Sequence, residues 1–219
     1  MRDSSVRVLL VDDDPLVRSG LQLMLGGDSS IDVVAEAEDG DQVLSAVDLH
    51  RPDVVLMDIR MNNVDGIAAT RLLAGQASPP AVLVLTTFDA DNLVLAALRA
   101  GASGFLLKSS PPADIVRAIS TVAAGDSWLS PEIARQLIGL VSAGPQVDDG
   151  AAAKLALLSP REREVADAVG QGISNQEIAS QLHMSLATVK AHVSRLLEKL
   201  DVDNRVQIAL LVQSSSDGA

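Results

Sequence analysis

Five short apolar runs alternate with five longer amphipathic stretches over the first 125 residues. The runs are Val6–Val11, Ile31–Ala37, Asp53–Asp58, Ala81–Thr86 and Ser103–Leu107. They are rich in Val, Leu and Ile, and several are apolar without alternation, which predicts parallel strands buried on both faces. Helical spacing marks the stretches near 15–26, 40–49, 65–75, 90–101 and 111–124. Strand then helix, five times over, predicts an α/β fold with a doubly wound sheet of five parallel strands. Such sheets bind ligands outside the carboxyl ends of their strands.

The pattern changes after residue 125. Residues 126–154 read as a linker: Pro131–Ser142 (PEIARQLIGLVS) predicts a short helix, and 143–153 is rich in turn formers. Residues 159–213 hold four helix-like segments and no strand pattern. The expected organisation is therefore an α/β domain over 1–125, a linker over 126–154, a small all-α domain over 155–213 and a disordered tail over 214–219.

Composition narrows the function classes. No run of 18 apolar residues occurs; the longest uncharged run, Leu72–Phe88, is broken by Pro79-Pro80, so no membrane span is expected. The start shows no secretory signal, and a cytoplasmic location is expected. Cysteine is absent, which excludes disulfides, thiol catalysis and thiolate metal sites. Phe88, Phe105 and Trp128 are the only aromatics, too few for a base-stacking single-strand binder. Net charge is −12. Residues 1–125 hold nine basic and seventeen acidic side chains, while 151–219 hold seven and eight. DNA binding by the C-terminal part would thus need a local basic stripe rather than bulk charge.

Candidate chemistry gathers at the strand ends. Asp12, Asp13 and Asp14 follow the first strand, Asp58 ends the third, Thr86 ends the fourth and Lys108 follows the fifth. In a parallel sheet these ends converge on one edge. Clustered carboxylates repel and call for a cation. Oxygen ligands without His or Cys favour a hard ion such as Mg²⁺. With Lys108 and Thr86 opposite, the set could stabilise a phosphoryl group carried on an aspartate. Any one of these aspartates taken alone reads equally well as a turn former or helix cap; the joint pattern is more specific. His50 and His183 show no metal-ligand spacing and read as structural or surface residues.

The strings VLLVDDDPLVRSGL, VVLMDIRM, VLVLTTFD and GASGFLLK closely resemble the receiver domain of bacterial two-component response regulators. The resemblance implies Asp58 as phosphoacceptor, Asp13 as a direct Mg²⁺ ligand with Asp12 assisting, and the Arg60 carbonyl completing the metal shell. It implies phosphoryl contacts from Thr86 and Lys108. Phe105 matches the aromatic whose rotamer changes on activation, and a plain core Phe is its alternative. Asp14, before Pro15, fits a helix cap better than a ligand. Two positions depart from the family: Asn62 replaces a usual Pro four residues after the phosphoacceptor, and Ser109 replaces a frequent Pro after the lysine. Arg60 and Phe88 stand where the family tunes water access.

In the C-terminal part, Ser159, Pro160 and Glu162 form a helix-start signature. A short segment, Asn175–Leu182, a turn, and a longer segment, Leu186–Leu200, follow. The longer one has an apolar face of Val189, Val193, Leu196, Leu197 and Leu200 and a polar face opposite, as in a helix-turn-helix that places its second helix in the major groove. From lengths alone, a generic helical packing domain is as good a reading. The strings SPREREV, GISNQEIASQLHMSLATVKAHVSRLLEKL and NRVQIALL strongly resemble the LuxR-type DNA-binding domain of NarL/FixJ-class regulators. The resemblance places Lys190 and Ala191 at base edges with Ser194 near by. It makes Thr188, His192 and Arg195 candidates for base or phosphate contacts, and Ser174, Asn175, Lys199, Asn204 and Arg205 phosphate candidates. Related proteins often carry a basic residue at the Ser194 position.

The implied function is a DNA-binding transcription regulator switched by phosphorylation of Asp58 by a partner histidine kinase. Its partners would be that kinase, double-stranded promoter DNA and a second copy of itself, with no membrane. Self-phosphotransfer and its slow reversal would be its only chemistry, so it is not expected to be an enzyme. The alternatives are a protein-interaction regulator and a phosphorylation-independent one.

Overall fold

The computed structural model describes residues 5–86, 93–129 and 149–216. The helix expected over Pro131–Ser142, the start of the one expected near 90–101, and Phe88 lie outside these residues. The described residues fall into two compact units, one ending at residue 129 and the other starting at 149.

The first unit is the expected parallel sheet, with one strand more than predicted. Its strands are β1 (Val6–Val11), β2 (Ile31–Ala37), β3 (Val54–Asp58), β4 (Ala81–Thr86), β5 (Gly104–Leu107) and β6 (Trp128–Leu129). Their order is β2-β1-β3-β4-β5-β6, all pairs parallel. The sixth strand lies in the stretch read as linker. Its two residues pair with Gly104 and Phe105. A Cβ on Gly104 would stand 2.5 Å from the Trp128 carbonyl oxygen, so glycine there lets the edge strand approach.

Five α-helices join these strands: α1 (Pro15–Leu25), α2 (Val43–His50), α3 (Gly66–Ala74), α4 (Leu93–Arg99) and α5 (Pro112–Ala123). The segment expected as one helix from residue 40 opens instead with a 3₁₀ turn, Gly40–Gln42, capped by Asp39. Alternate strand residues Leu10, Leu56, Leu83 and Leu106 pack with Leu21 and Leu25 of α1 and Ile115 and Ile119 of α5. Their strand neighbours Leu9, Val55, Val84 and Phe105 are fully buried as well. Burial on both faces explains why these strands lack polar alternation. Each such side chain contributes about 1.5–3 kcal/mol relative to exposure.

The second unit holds α6 (Asp149–Ala156), α7 (Pro160–Gly170), α8 (Asn175–Gln181), α9 (Leu186–Leu200) and α10 (Arg205–Ser216). Helix α6 was not expected, because its Asp-Gly start reads as a turn. Its alanines favour helix, and Leu155 anchors it in a core built from Val165, Ile178, Val189, Val193, Leu196 and Ile208. Helix α10 continues to Ser216, so residues 214–216, expected as disordered tail, are helical. Ser159 and Glu162 form the expected reciprocal cap on α7, and Ser174 with Glu177 repeats it on α8.

Candidate functional site

The order β2-β1-β3 reverses direction at β1, and the crevice beyond the ends of β1 and β3 is where such sheets take ligands. Asp12 lies one residue past β1, and Asp58 is the last residue of β3; both are buried. Lys108 follows β5 and spans the crevice. Its Nζ lies 2.7 Å from Asp12 Oδ2 and 3.0 Å from Asp58 Oδ2. Asp58 Oδ1 accepts from the Ile59 amide at 2.9 Å, and Asp12 Oδ1 accepts from the Asp14 amide at 3.0 Å. Asp14 caps α1 by accepting from the Leu16 amide, as its place before Pro15 suggests.

Burial pushes the Asp58 carboxyl up from its ordinary value; Lys108 opposes this and the Asp12 charge adds to it. Burial works to lower Lys108, yet its bonds to the two carboxylates outweigh that and hold the ammonium above its ordinary value. One cation thus serves two buried carboxylates, and Asp13 stands exposed beside them. One oxygen from each of Asp12, Asp13 and Asp58 lies within 4.8 Å of the others, a spacing that a metal ion can bridge. An all-oxygen set with surplus negative charge fits a hard dication.

The remaining receiver positions fall around this crevice. Thr86 ends β4 and is buried, and its carbonyl accepts from the Lys108 amide at 2.8 Å. Phe105 sits in mid-β5, fully buried and in register with Val84 and Leu129. Arg60 is exposed, two residues past Asp58. Asn62, at the position of the usual Pro, donates its amide to Asp13 Oδ2 at 3.2 Å, a bond no proline can make. Sequence reasoning missed Arg18. Its guanidinium donates to the Asp12 carbonyl at 2.7 Å and pairs with Glu36 and Glu38 at 3.0 and 2.9 Å. The available signal was its spacing: Arg18, Leu21 and Leu25 share the buried face of α1.

In the helical unit, Ser185 caps α9 by accepting from the Thr188 amide at 3.0 Å. Val189, Val193, Leu196 and Leu200 face inward, whereas Thr188, Lys190, Ala191, Ser194 and Arg195 are exposed. This is the short helix, turn and long polar-faced helix that the spacing predicts. Lys190 and Arg195 form no ion pair among the described residues. His192 is half-buried, and its Nδ1 is turned inward without a hydrogen-bond partner there.

All five of the phosphate candidates have partners within the helical unit. Arg205 is buried and donates to Asn175 Oδ1 at 3.2 Å and the Ile173 carbonyl at 2.7 Å. Asn175 is itself buried, and Asn204, also buried, accepts from the Gln207 amide at 3.0 Å. These three form internal framework rather than an outward phosphate face. Lys199 is accessible but pairs with Glu162 at 2.8 Å. The Ser174 hydroxyl donates to Glu177 within its cap at 2.7 Å.

Comparison with known proteins agrees with both units. The response regulator receiver domain family matches residues 8–120, and the family of bacterial regulatory proteins of luxR type matches residues 156–212. The chain belongs to the two-component response regulators of the NarL/LuxR family. The regulator is 38% identical over 206 residues to the transcriptional regulatory protein LiaR of Bacillus subtilis, covering 94% of this chain and 95% of that one. It is also 38% identical over 200 residues to a probable transcriptional regulatory protein NarL of Mycobacterium tuberculosis, covering 91% and 90%. Among solved structures it resembles the response regulator ChrA of a heme-sensing two-component system, with 40% identity, a TM-score of 0.55, and coverage of 97% and 98%. The regulator is thus a phosphorylation-regulated transcription regulator with a helix-turn-helix DNA-binding domain. It is not a classical enzyme. No helix among the described residues is long and apolar enough to cross a membrane.

Proposed function

We propose that Asp58 accepts a phosphoryl group from a phosphohistidine of a partner kinase in the cytoplasm, and that this modification controls binding of promoter DNA through α9. The observation that carries the reading is the Lys108 ammonium bridging Asp12 and Asp58 at the switch point of the sheet. An Asp58 carboxylate oxygen attacks phosphorus, the P–N bond breaks, and its electron pair leaves with the imidazole nitrogen, which is then protonated. Lys108 stays charged throughout and moves its hydrogen bond from the carboxylate to a phosphoryl oxygen. The Thr86 hydroxyl supplies a second contact. Asp12, Asp13, Asp58 and the Arg60 carbonyl would hold Mg²⁺, which supplies charge neutralisation for the phosphoryl oxygens. Slow hydrolysis of the acyl phosphate by water reverses the switch.

The added charge draws Thr86 toward the phosphoryl group and vacates space for Phe105 to rotate, shifting the receiver between two surface states. One state favours homodimers and frees α9. Lys190, Ala191 and Ser194 then face base edges, with Thr188 and Arg195 beside them. His192 takes a position at the edge of that face. The test is intact mass after incubation with Mg²⁺ and a small phosphodonor. Wild type should gain one phosphoryl group and Asp58→Ala none; an adduct retained in the variant would place the acceptor elsewhere.

A further inference from the structure

The loop between β2 and α2 carries no candidate chemistry, yet it grips both neighbouring loops of the phosphoacceptor crevice. On one side Glu38 pairs with Arg18, which holds the Asp12 carbonyl. On the other, Asp39 reaches the loop that follows β3. Its Oδ2 accepts from the Asn63 amide at 2.8 Å, and its Oδ1 accepts from the Val64 amide at 2.8 Å. The same Oδ1 accepts from the Asp41 amide at 3.4 Å. Asp39 is only 5% exposed, so these bonds are shielded from water. The next residue closes the contact: the Gly40 amide donates to the Val64 carbonyl at 3.2 Å. A Cβ on Gly40 would stand 2.4 Å from that oxygen. The gripped segment follows directly on Asn62, whose side-chain amide meets Asp13, and begins three residues past Arg60.

We propose that Asp39 is a positioning residue of the metal site: by fixing the Asn63–Val64 backbone it sets the reach of the Arg60 carbonyl and the Asn62 amide toward Asp13. This rests on the reading of Asp12, Asp13 and Asp58 as metal carboxylates. Residues that orient ligands without touching the metal typically change affinity by about 10–100-fold when removed. Asp39→Ala and Asp39→Asn remove the same charge. Asn alone keeps an acceptor for the Val64 and Asp41 amides. A positioning role therefore predicts unequal losses, and a purely electrostatic one predicts equal losses.

The test is Mn²⁺ binding to the full chain, followed by loss of the free-ion paramagnetic resonance signal, with Asp13→Ala as the site control. Wild type should bind one ion and Asp13→Ala should bind far more weakly. Asp39→Ala should bind about tenfold more weakly than wild type, and Asp39→Asn should lose clearly less. In phosphoryl uptake the half-saturating Mg²⁺ concentration should rise in the same order, while the rate at saturating Mg²⁺ is retained. A merely structural role would instead lower the competent fraction and leave the affinity of the rest unchanged. Equal losses in the two Asp39 variants, or wild-type affinity in both, would overturn the proposal. If Asp39→Ala does not fold, Gly40→Ala decides: it displaces Val64 with the Asp39 charge intact, so weakened binding supports positioning and unchanged binding overturns it. Failure of wild type to bind, or equal binding by Asp13→Ala, would instead remove the metal site itself, and the role of Asp39 with it.

Discussion

Asp58 holds its charge against its surroundings. Burial raises its pKa, Lys108 is shared with Asp12, and Asp12 adds repulsion. A carboxyl whose folded pKa lies above the unfolded value contributes most to stability below that unfolded value, and loses the contribution as pH rises through the folded one. At neutral pH the ionised group is therefore a cost. Asp58→Asn should raise the receiver melting transition at pH 7, by about 4 °C if the gain is ~1 kcal/mol. The gap between the two proteins should close as pH falls below about 4, where both carry a neutral group. Calorimetry across pH checks this, and a lower transition for Asp58→Asn at pH 7 would contradict it. A second contrast separates contact from framework. Lys190→Ala removes an exposed side chain and should weaken specific DNA binding by about 1–3 kcal/mol with stability unchanged. Arg205→Ala removes the buried hydrogen bonds to the Ile173 carbonyl and Asn175 Oδ1, costing about 1–3 kcal/mol of stability. Urea melts alongside DNA titrations distinguish the two. The acidic cluster, Thr86 and Lys108 were legible because strand ends in a parallel sheet must meet. The burial of Asn175, Asn204 and Arg205 was not legible, because polar residues beside helix starts suit phosphate contacts and internal networks alike. Only packing decides which they serve.

Helix α7 shows how a local signal is tied into the helical unit. Ser159 caps it by accepting from the Glu162 amide, and Glu162 answers by accepting from the Ser159 amide. Glu162 also receives Lys199 from α9. That ammonium and the Ser159 groups hold the Glu162 carboxyl at about 2, below its ordinary 4.5. A depressed carboxyl contributes above its unfolded pKa and loses that contribution as pH falls through its folded one. Glu162→Gln should therefore lower the melting transition of the helical unit at pH 6, and the difference should shrink as pH falls from 4.5 toward 2. Ser159→Ala removes the cap itself and should cost about 1 kcal/mol at pH 6. Thermal melts by circular dichroism follow both. The capping box was legible because its residues lie within one turn. Strand β6 and helix α6 were not, because each is fixed by a distant partner: Trp128 by the bare backbone of Gly104, and Leu155 by the core that α7 to α10 build.

At the scale of the molecule, charge limits how the regulator meets DNA. The chain carries −12, and its helical unit is close to neutral. Within that unit Arg161 pairs with Glu164, Arg163 with Asp167 and Lys199 with Glu162, while Arg205 is buried. On the polar face of α9, Lys190 and Arg195 remain available for phosphate or base. Each neutralised phosphate lowers the log–log salt slope of duplex binding by about 0.9. A dimer presenting two such pairs should therefore show a slope near −4, shallow for a DNA-binding protein. Non-specific binding should be weak, and affinity should come from two half-sites engaged together. Fluorescence anisotropy of the phosphorylated protein on duplex DNA, read against salt, measures the slope. Lys199→Ala should leave it unchanged if the Glu162 pair persists on DNA, whereas Arg195→Ala should make it shallower by about 2 per dimer. A slope near −8 in wild type would mean that the surface ion pairs open on DNA and release their cations to phosphate.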